Sequence, residues 1–419
     1  MKKFLLRIAQ LLVILQIPYL VISVLVIRII RSISKEKRRV VFGGCGIINL
    51  SYWSRALQAN GLDSKTIVWR TPSIYPEETF DYDLYRHWGN FGYVMAPFHF
   101  VRLIAKNEII VCGFDGFVLG MTLLKKIEPY LLTVAKCKIV AVPYGGDAYV
   151  YSQIKNESLS YAIQVSYPFD SQGQLETAKN IERTLKHADF AMSGIMGFDG
   201  IGRWDVLAVN PIVIDTSLWS PSTKKLDSEK IRVLHTPNHR GFKGTEFLIN
   251  AVDELNHEGV EIELVLVEGM PNSTVRSLLS ENIDVLVEQL IAPGYAMSAI
   301  EGLASGVVVV ANLSDERISI PFKRWSYLSE CPIVSANPET IKAVLRKLSS
   351  DKMMRQEYGA LSREYALKYH SYDTFFELYK EIEKYIFGER ENMHNFYHPL
   401  LGEFRTESKK IAVPPWNLG

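Results

Sequence analysis

Short apolar runs alternate with helical stretches along most of this chain, and that alternation limits it to an α/β architecture built on parallel sheets. Residues 39–42 (RVVF) read as a strand. They are followed by the glycine turn GGCG at 43–46, a helix over 49–60 with Gly61 at its C-terminal end, and a second strand over 65–69 (KTIVW). A strand, helix, strand unit of this kind demands parallel pairing. Strand-like runs at 108–112 and 137–142, and a weaker one at 187–192, continue the pattern, so residues 40–219 are expected to form one Rossmann-like domain. A polar stretch, SPSTKKLDSEK at 220–230, opens a second unit with strands over 231–235, 261–267, 283–287, 307–311 and 332–334. Helices over 245–257, 273–280, 296–304, 340–347, 354–369 and 374–385 separate or follow them, with a loop expected at 289–295. The second domain is therefore expected over 220–386, leaving 387–419 as a tail of mixed polarity. Ligands in open parallel sheets bind beyond the carboxyl ends of the strands, so two such domains facing each other define a cleft.

The N-terminus carries a different signal. Residues 8–27 (IAQLLVILQIPYLVISVLVI) are twenty residues without a charge, enough for a helix to cross the hydrocarbon core of a bilayer. Lys2, Lys3 and Arg7 precede the run, and Arg28, Arg31, Lys35, Lys37, Arg38 and Arg39 follow it. The excess on the C-terminal side places the body of the chain on the cytoplasmic face. Gln10, Gln16 and Pro18 interrupt the run, which leaves open an in-plane helix or a hairpin kinked at Pro18. A cleaved signal peptide is disfavoured, because basic residues follow where small ones are needed, and a buried core helix is the remaining, less favoured reading. Residues 1–39 are thus expected to be a membrane segment with a basic flank, either a single anchor or a monotopic element. The net charge of +1 gives no global excess to attract nucleic acid. None of the four cysteines, Cys45, Cys112, Cys137 and Cys331, forms a CxxC pair, so a reduced compartment and no zinc site are expected.

Two segments of the second domain carry chemistry. The first, HTPNHRGFKGT at 235–245, lies between a strand and a helix, where backbone amides and the helix dipole favour an anion. Arg240 adds a fork of donors and Lys243 a point charge, a pair suited to a diphosphate. The second, at 283–306, runs from a strand through Glu288, Gln289, Pro293, Gly294 and Tyr295 into a helix that carries Met297 and Glu301. A carboxylate at Glu301 is suited to ribose hydroxyls, and Gly294 lets backbone amides approach a phosphate. His99, His235 and His239 are read as structural, since a lone histidine is more often a packed side chain than a base.

Residues 231–385 resemble the donor-binding half of retaining glycosyltransferases of family 4 type, with the GT-B fold. The resemblance rests on 284–311 (DVLVEQLIAPGYAMSAIEGLASGVVVVA), on 210–221 (NPIVIDTSLWSP), which is similar to that family's interdomain segment, on the Lys243-Gly244 pair, and on the closing segments 331–333 and 364–369. It implies that Lys243 contacts the donor diphosphate, that Glu301 holds the ribose, and that amides from Gly294 to Met297 face the phosphates. In the first domain, Gly43, Gly44 and Gly46 resemble the glycine loop that approaches acceptor and donor phosphates. Tyr144-Gly-Gly-Asp147 resembles a glycine-x-aspartate element, and Asp115 is a further polar group at a strand end. Either Asp147 or Asp115 is suited to orienting an acceptor hydroxyl or stabilising positive charge on the sugar. The family's first glutamate of this loop falls on Pro293, and its arginine before the lysine falls on Asn238, with Arg240 two residues away. The arrangement is similar to a bacterial subgroup of surface-polysaccharide clusters that carries an acidic-glutamine pair here, so Glu288 or Gln289 is expected to take over the sugar contact.

The expectation is a membrane-tethered glycosyltransferase of cell-surface polysaccharide assembly. It would need no metal or cofactor, would take a nucleotide-diphosphate sugar as substrate, and would act on a lipid-linked or glycan acceptor. Pro293 and Asn238 keep a second reading in play, a catalytically inactive nucleotide-sugar-binding partner on the same membrane. A third is a different enzyme on the same fold, such as an epimerase or a phosphorylase.

Overall fold

The protein is described by a computed structural model over residues 9–34, 37–196, 199–221, 230–281 and 283–405. The polar stretch expected to open the second domain lies mostly outside the described residues, as does the end of the tail.

The first sheet holds β1 (Val40–Gly44), β2 (Ser64–Val68), β3 (Tyr82–Asp83), β4 (Ile109–Cys112), β5 (Lys138–Ala141), β6 (Phe190–Ser193) and β7 (Val206–Leu207), in the order β3-β2-β1-β4-β5-β6-β7. The second holds β8 (Ile231–His235), β9 (Ile262–Leu266), β10 (Val285–Pro293), β11 (Val308–Asn312) and β12 (Val334–Ser335), in the order β12-β11-β10-β8-β9. Every pairing in both sheets is parallel. Their central strands are apolar on both faces, as parallel sheets covered by helices require. The α/β class with two Rossmann-like domains is the architecture of the chain.

Strand order reverses between β1 and β4 in the first sheet and between β8 and β10 in the second. These switch points open the crevice in which such folds bind ligands. The glycine turn follows β1, and the loop bearing Asp115 follows β4. The segment ending at Lys243 follows β8, and the turn at Gly294 follows β10.

Three features depart from the sequence expectation. The two-residue strands β3 and β7 are too short to leave a periodic signal. The expected loop at 289–295 is mostly strand: β10 continues to Pro293 through register shifts at Val287/Gln289 and Gln289/Pro293. It continues because Leu290 and Ala292 are fully buried, so the apolar run persists past the polar pair. Finally, helix Tyr372–Ile386 crosses back to the first domain, where Phe375 stacks on Trp53 at 5.6 Å and Tyr385 meets Phe190 edge-on at 5.7 Å. The described part of the tail then folds onto the second domain, with Tyr397 against Tyr327 and Phe404 against Tyr369.

Candidate functional site

In the second domain, β8 ends at His235, which is buried. Its Nδ1 pairs with the Val287 carbonyl at 2.7 Å and its Nε2 with Thr245 Oγ1 at 2.9 Å. Burial lowers its pKa to about 4, so it is a neutral pin between two strands and a helix. The following helix, Arg240–Lys243, is a single turn closed by Gly244 in the left-handed conformation at φ 73. That turn directs Lys243 inward and Arg240 outward. Lys243 Nζ donates to a carboxylate oxygen of Glu288 and, at 2.9 Å, to Gln289 Oε1, and all three side chains are buried. The other Glu288 oxygen accepts from the Ala296 amide at 3.2 Å, and Gln289 Nε2 donates to the Gly294 carbonyl at 3.0 Å. Lysine, glutamate, glutamine and the turn after β10 are thus one network. The sequence pairing of Arg240 with Lys243 does not survive in the structure. Arg240 is exposed and engaged by both oxygens of Glu268 (2.7 and 2.9 Å) and by Glu246 (2.8 Å). Asn238 is exposed on the same loop.

The turn itself differs from its expected use. The Gly294 amide donates to the Asn312 carbonyl at 2.7 Å, and a Cβ at Gly294 (φ +85) would lie 2.6 Å from the Ile195 carbonyl oxygen of the first domain. Gly294 therefore allows close approach of the two domains. Tyr295 is fully buried, its hydroxyl shared with Tyr365 at 2.9 Å and His370 at 3.1 Å. The Asn210 side chain donates to the Tyr295 carbonyl at 2.7 Å, which ties the interdomain segment to this turn. Helix Met297–Ala304 starts without a side-chain cap. Its first-turn amides at Met297 and Ser298 have no intrahelical acceptor, and these are the groups placed for an anion.

Glu301 lies one turn into that helix, buried, and accepts from Asn272 Nδ2 at 2.6 Å. Burial raises its pKa to about 7, with the charge of Glu288 adding to the rise. Across the cleft, Tyr52 and Tyr75 of the first domain feel the charge of Glu301. Both phenols are pushed up mainly by burial, Tyr52 to about 12, and Arg55 and Arg276 act on Tyr52 in the opposite sense. Tyr52, Arg55, Tyr75, Asn272 and Arg276 were not singled out from the sequence. The one available signal was that Tyr52 and Arg55, three apart, share a face of the helix after the glycine turn.

The first-domain half is held by backbone. A Cβ on Gly43 would meet the Phe117 ring at 2.3 Å, one on Gly46 the Arg70 carbonyl at 2.4 Å, and one on Gly44, at φ +114, the Gly116 carbonyl at 2.4 Å. Between them lies Cys45, which is exposed. Asp147 is buried and accepts from the amides of Phe114 (2.8 Å), Tyr144 (3.0 Å) and Gly145 (3.1 Å), so it clamps two loops together. Burial still raises its pKa to about 7. Asp115 is half-buried and accepts from the Tyr144 hydroxyl and from Lys125 Nζ at 3.2 Å. Unlike that of Asp147, its side chain keeps 40% of its surface exposed. Asp147→Asn puts an NH2 group against amide donors and is expected to cost about 2–3 kcal/mol, read as a fall in Tm. Asp115→Asn is expected to leave Tm within about 1 °C and to lower kcat. Equal falls in Tm for both variants would contradict this division.

Among the described residues no cluster of three or more His, Cys, Asp or Glu is arranged to hold a metal. No family model and no curated relative matches the sequence. The structure is similar to sucrose-phosphate synthase from Thermosynechococcus elongatus (12% identity over 84% of this chain and 100% of that one, TM-score 0.54). It is also similar to an alpha-glucosyltransferase solved with UDP and a 13-mer DNA containing an A:G mismatch (11% identity over 83% of this chain and 99% of that one, TM-score 0.51). At such identities the likeness establishes the fold, GT-B, with two Rossmann-like domains facing across a cleft.

Proposed function

We propose that the chain is a glycosyltransferase that moves a sugar from a nucleotide-diphosphate donor to a lipid-linked or glycan acceptor at a membrane surface, in cell-surface polysaccharide assembly. The reading is carried by one observation. A buried ammonium, Lys243, sits at the strand ends of the second domain, held among the described residues by side-chain oxygens that a diphosphate can replace, with Glu301 on the following helix near enough to feel the charge of Glu288.

In this reading the diphosphate lies between Lys243 and the first-turn amides of helix Met297–Ala304. Those groups stabilise the charge that develops as the sugar leaves, a role that requires no metal. Glu288, released from Lys243, and Gln289 face the donor sugar in place of the glutamate that Pro293 cannot supply. Transfer proceeds with retention, by same-face attack in which the departing phosphate takes the acceptor proton, so no dedicated base is needed. Asp115, with Tyr144, orients the acceptor, and Glu301 accepts from ribose hydroxyls. The similarity to an alpha-glucosyltransferase solved with UDP supports a nucleotide in this cleft. Incubating the protein with a panel of nucleotide sugars is expected to release one nucleoside diphosphate preferentially. Binding of nucleotides with no release from any donor, with or without acceptor, would favour the inactive partner that Pro293 suggests.

The raised pKa of Glu301 gives this reading a pH signature. A ribose-binding carboxylate must be ionised. Below about 7 donor affinity is therefore expected to fall about tenfold per pH unit, and above that to level off. Glu301→Gln is expected to flatten the profile in calorimetric titrations between pH 5.5 and 8.5. An unchanged slope in the variant would remove Glu301 from the donor site.

A further inference from the structure

Helix Ala9–Ile33 is long and apolar enough to cross a membrane, yet it lies along the first domain for its whole length. Gln10 bridges the Met121 carbonyl (3.1 Å) and the Leu123 amide (3.0 Å), and Gln16 donates to the Val94 carbonyl at 3.1 Å. Tyr19 packs on Phe98 with ring centroids 5.0 Å apart. Val13, Leu20, Val24 and Ile27 are buried in the core beneath. At its far end Arg31 donates to the carbonyls of Ala135 (2.7 Å), Asn107 (2.6 Å) and Ile104, and Arg28 to Val134 at 3.3 Å. These acceptors are the open carbonyl ends of helices Gly92–Lys106 and Glu128–Val134, where cations are favoured by the helix dipole. The glutamines and arginines that interrupt or flank the apolar run are thus fasteners to the protein body.

The opposite face of the helix is aliphatic and uncovered up to its last turn, where Ser32 joins it: Leu11, Leu15, Ile22, Leu25, Ile29 and Ile33 are all exposed, Ile33 by 82%. Exposed Arg28, Lys106 and Lys136 stand around its C-terminal end, a charge pattern complementary to anionic headgroups. A long apolar stripe, polar only in its last turn and rimmed there by cations, suits a lipid surface. We infer that helix Ala9–Ile33 lies in the plane of a membrane, between the first domain and the lipid, instead of crossing the bilayer, and that it sets the acceptor loop against that surface. Met121 and Leu123, held by Gln10, are themselves exposed. They lie on the segment that leads from Asp115 to its partner Lys125. An acceptor anchored in the same leaflet is therefore presented to the side of the first domain that carries this segment.

The inference deepens the membrane reading above, but its test uses no donor, acceptor or turnover, so it fails or stands apart from the assignment of glycosyl transfer. The full chain carries one tag before Met1 and another after Gly419 and is examined in inside-out membrane vesicles from expressing cells. External protease is expected to remove both tags. In the same membranes, Tyr19→Cys with Phe98→Cys is expected to be joined by a short bis-maleimide, and neither single variant is. Adding Arg31→Leu to the pair is expected to lower the yield several-fold. Leu25→Glu with Ile29→Glu leaves the docked face intact and is expected to reduce co-flotation with phosphatidylglycerol-containing vesicles at least tenfold, with an unchanged circular dichroism spectrum. A protected N-terminal tag or an absent cross-link would overturn the in-plane placement. Undiminished flotation of the glutamate variant, or a lipid-free dimer through this face that does not bind vesicles, would overturn the lipid as its occupant.

Discussion

Lys243→Ala is expected to lower kcat/KM for the nucleotide-sugar donor by roughly a hundredfold or more, about 3 kcal/mol, the scale of removing one charged group that stabilises a developing anion. The same change has a second cost. Glu288 has no exposed side-chain surface and Lys243 very little, so deleting the lysine strands a carboxylate in the interior. Breaking a buried pair from one side typically costs ~3–5 kcal/mol, less whatever protonation of the remaining acid recovers. The two costs separate in a double variant. Lys243→Ala with Glu288→Gln is expected to regain most of the lost Tm and none of the lost donor affinity. If Lys243→Ala loses Tm while turnover at saturating and subsaturating donor stays normal, the lysine is a structural clasp only and the phosphate site lies elsewhere.

Gly44→Ala is expected to destabilise the first domain by about 3 kcal/mol or more. The backbone at φ +114 is one that a side chain adopts only under strain, and the added carbon would press on the Gly116 carbonyl at 2.4 Å. That carbonyl cannot withdraw freely. Glu128 holds the same loop by accepting from the amides of Phe117 (2.8 Å) and Leu119 (2.6 Å), and Asp147 holds Phe114. Strain entering at Gly44 is therefore passed to Asp115, so kcat is expected to fall even where the variant remains folded. Thermal unfolding with activity measured well below Tm checks both parts. A variant with wild-type Tm would mean that the glycine turn is less constrained than its contacts indicate.

The architecture was legible because its cause is local. Strands such as β1, β4, β5, β8 and β11 are compact apolar runs closed by glycine, proline or a polar residue, and the helices between them carry periodic apolar faces. The two-residue strands β3 and β7 give no periodic signal, and β10 was cut short because Glu288 and Gln289 look like the start of a loop. They are buried in the strand only because Lys243 and the turn at 293–296 satisfy them, and Lys243 lies 45 residues away from Glu288. For the candidate site, the sequence singled out segments that the fold brings to the strand ends, but it could not say which way side chains turn. Arg240 and Lys243 look equivalent three residues apart, and the single helical turn between them sends one to Glu268 and the other to Glu288. Asp147 and Asp115 likewise look interchangeable beside glycines, yet one is consumed by three amides. Tyr52 and Tyr75 become neighbours of Glu301 only when the domains face each other, and Asn272, 29 residues away in the chain, only when the second sheet brings their two helices together. The N-terminal segment shows the same limit: hydropathy reports that it is apolar, whereas the partners of Gln10, Gln16 and Arg31 decide how it lies.

The most direct test of the account is a structure of the protein with the nucleoside diphosphate released from its preferred donor. The diphosphate is expected against Lys243 Nζ and the amides of Met297 and Ser298, with the ribose hydroxyls on Glu301 and the Lys243–Glu288 contact broken. A nucleotide found outside the cleft, with Lys243 still held by Glu288 and Gln289, would contradict it.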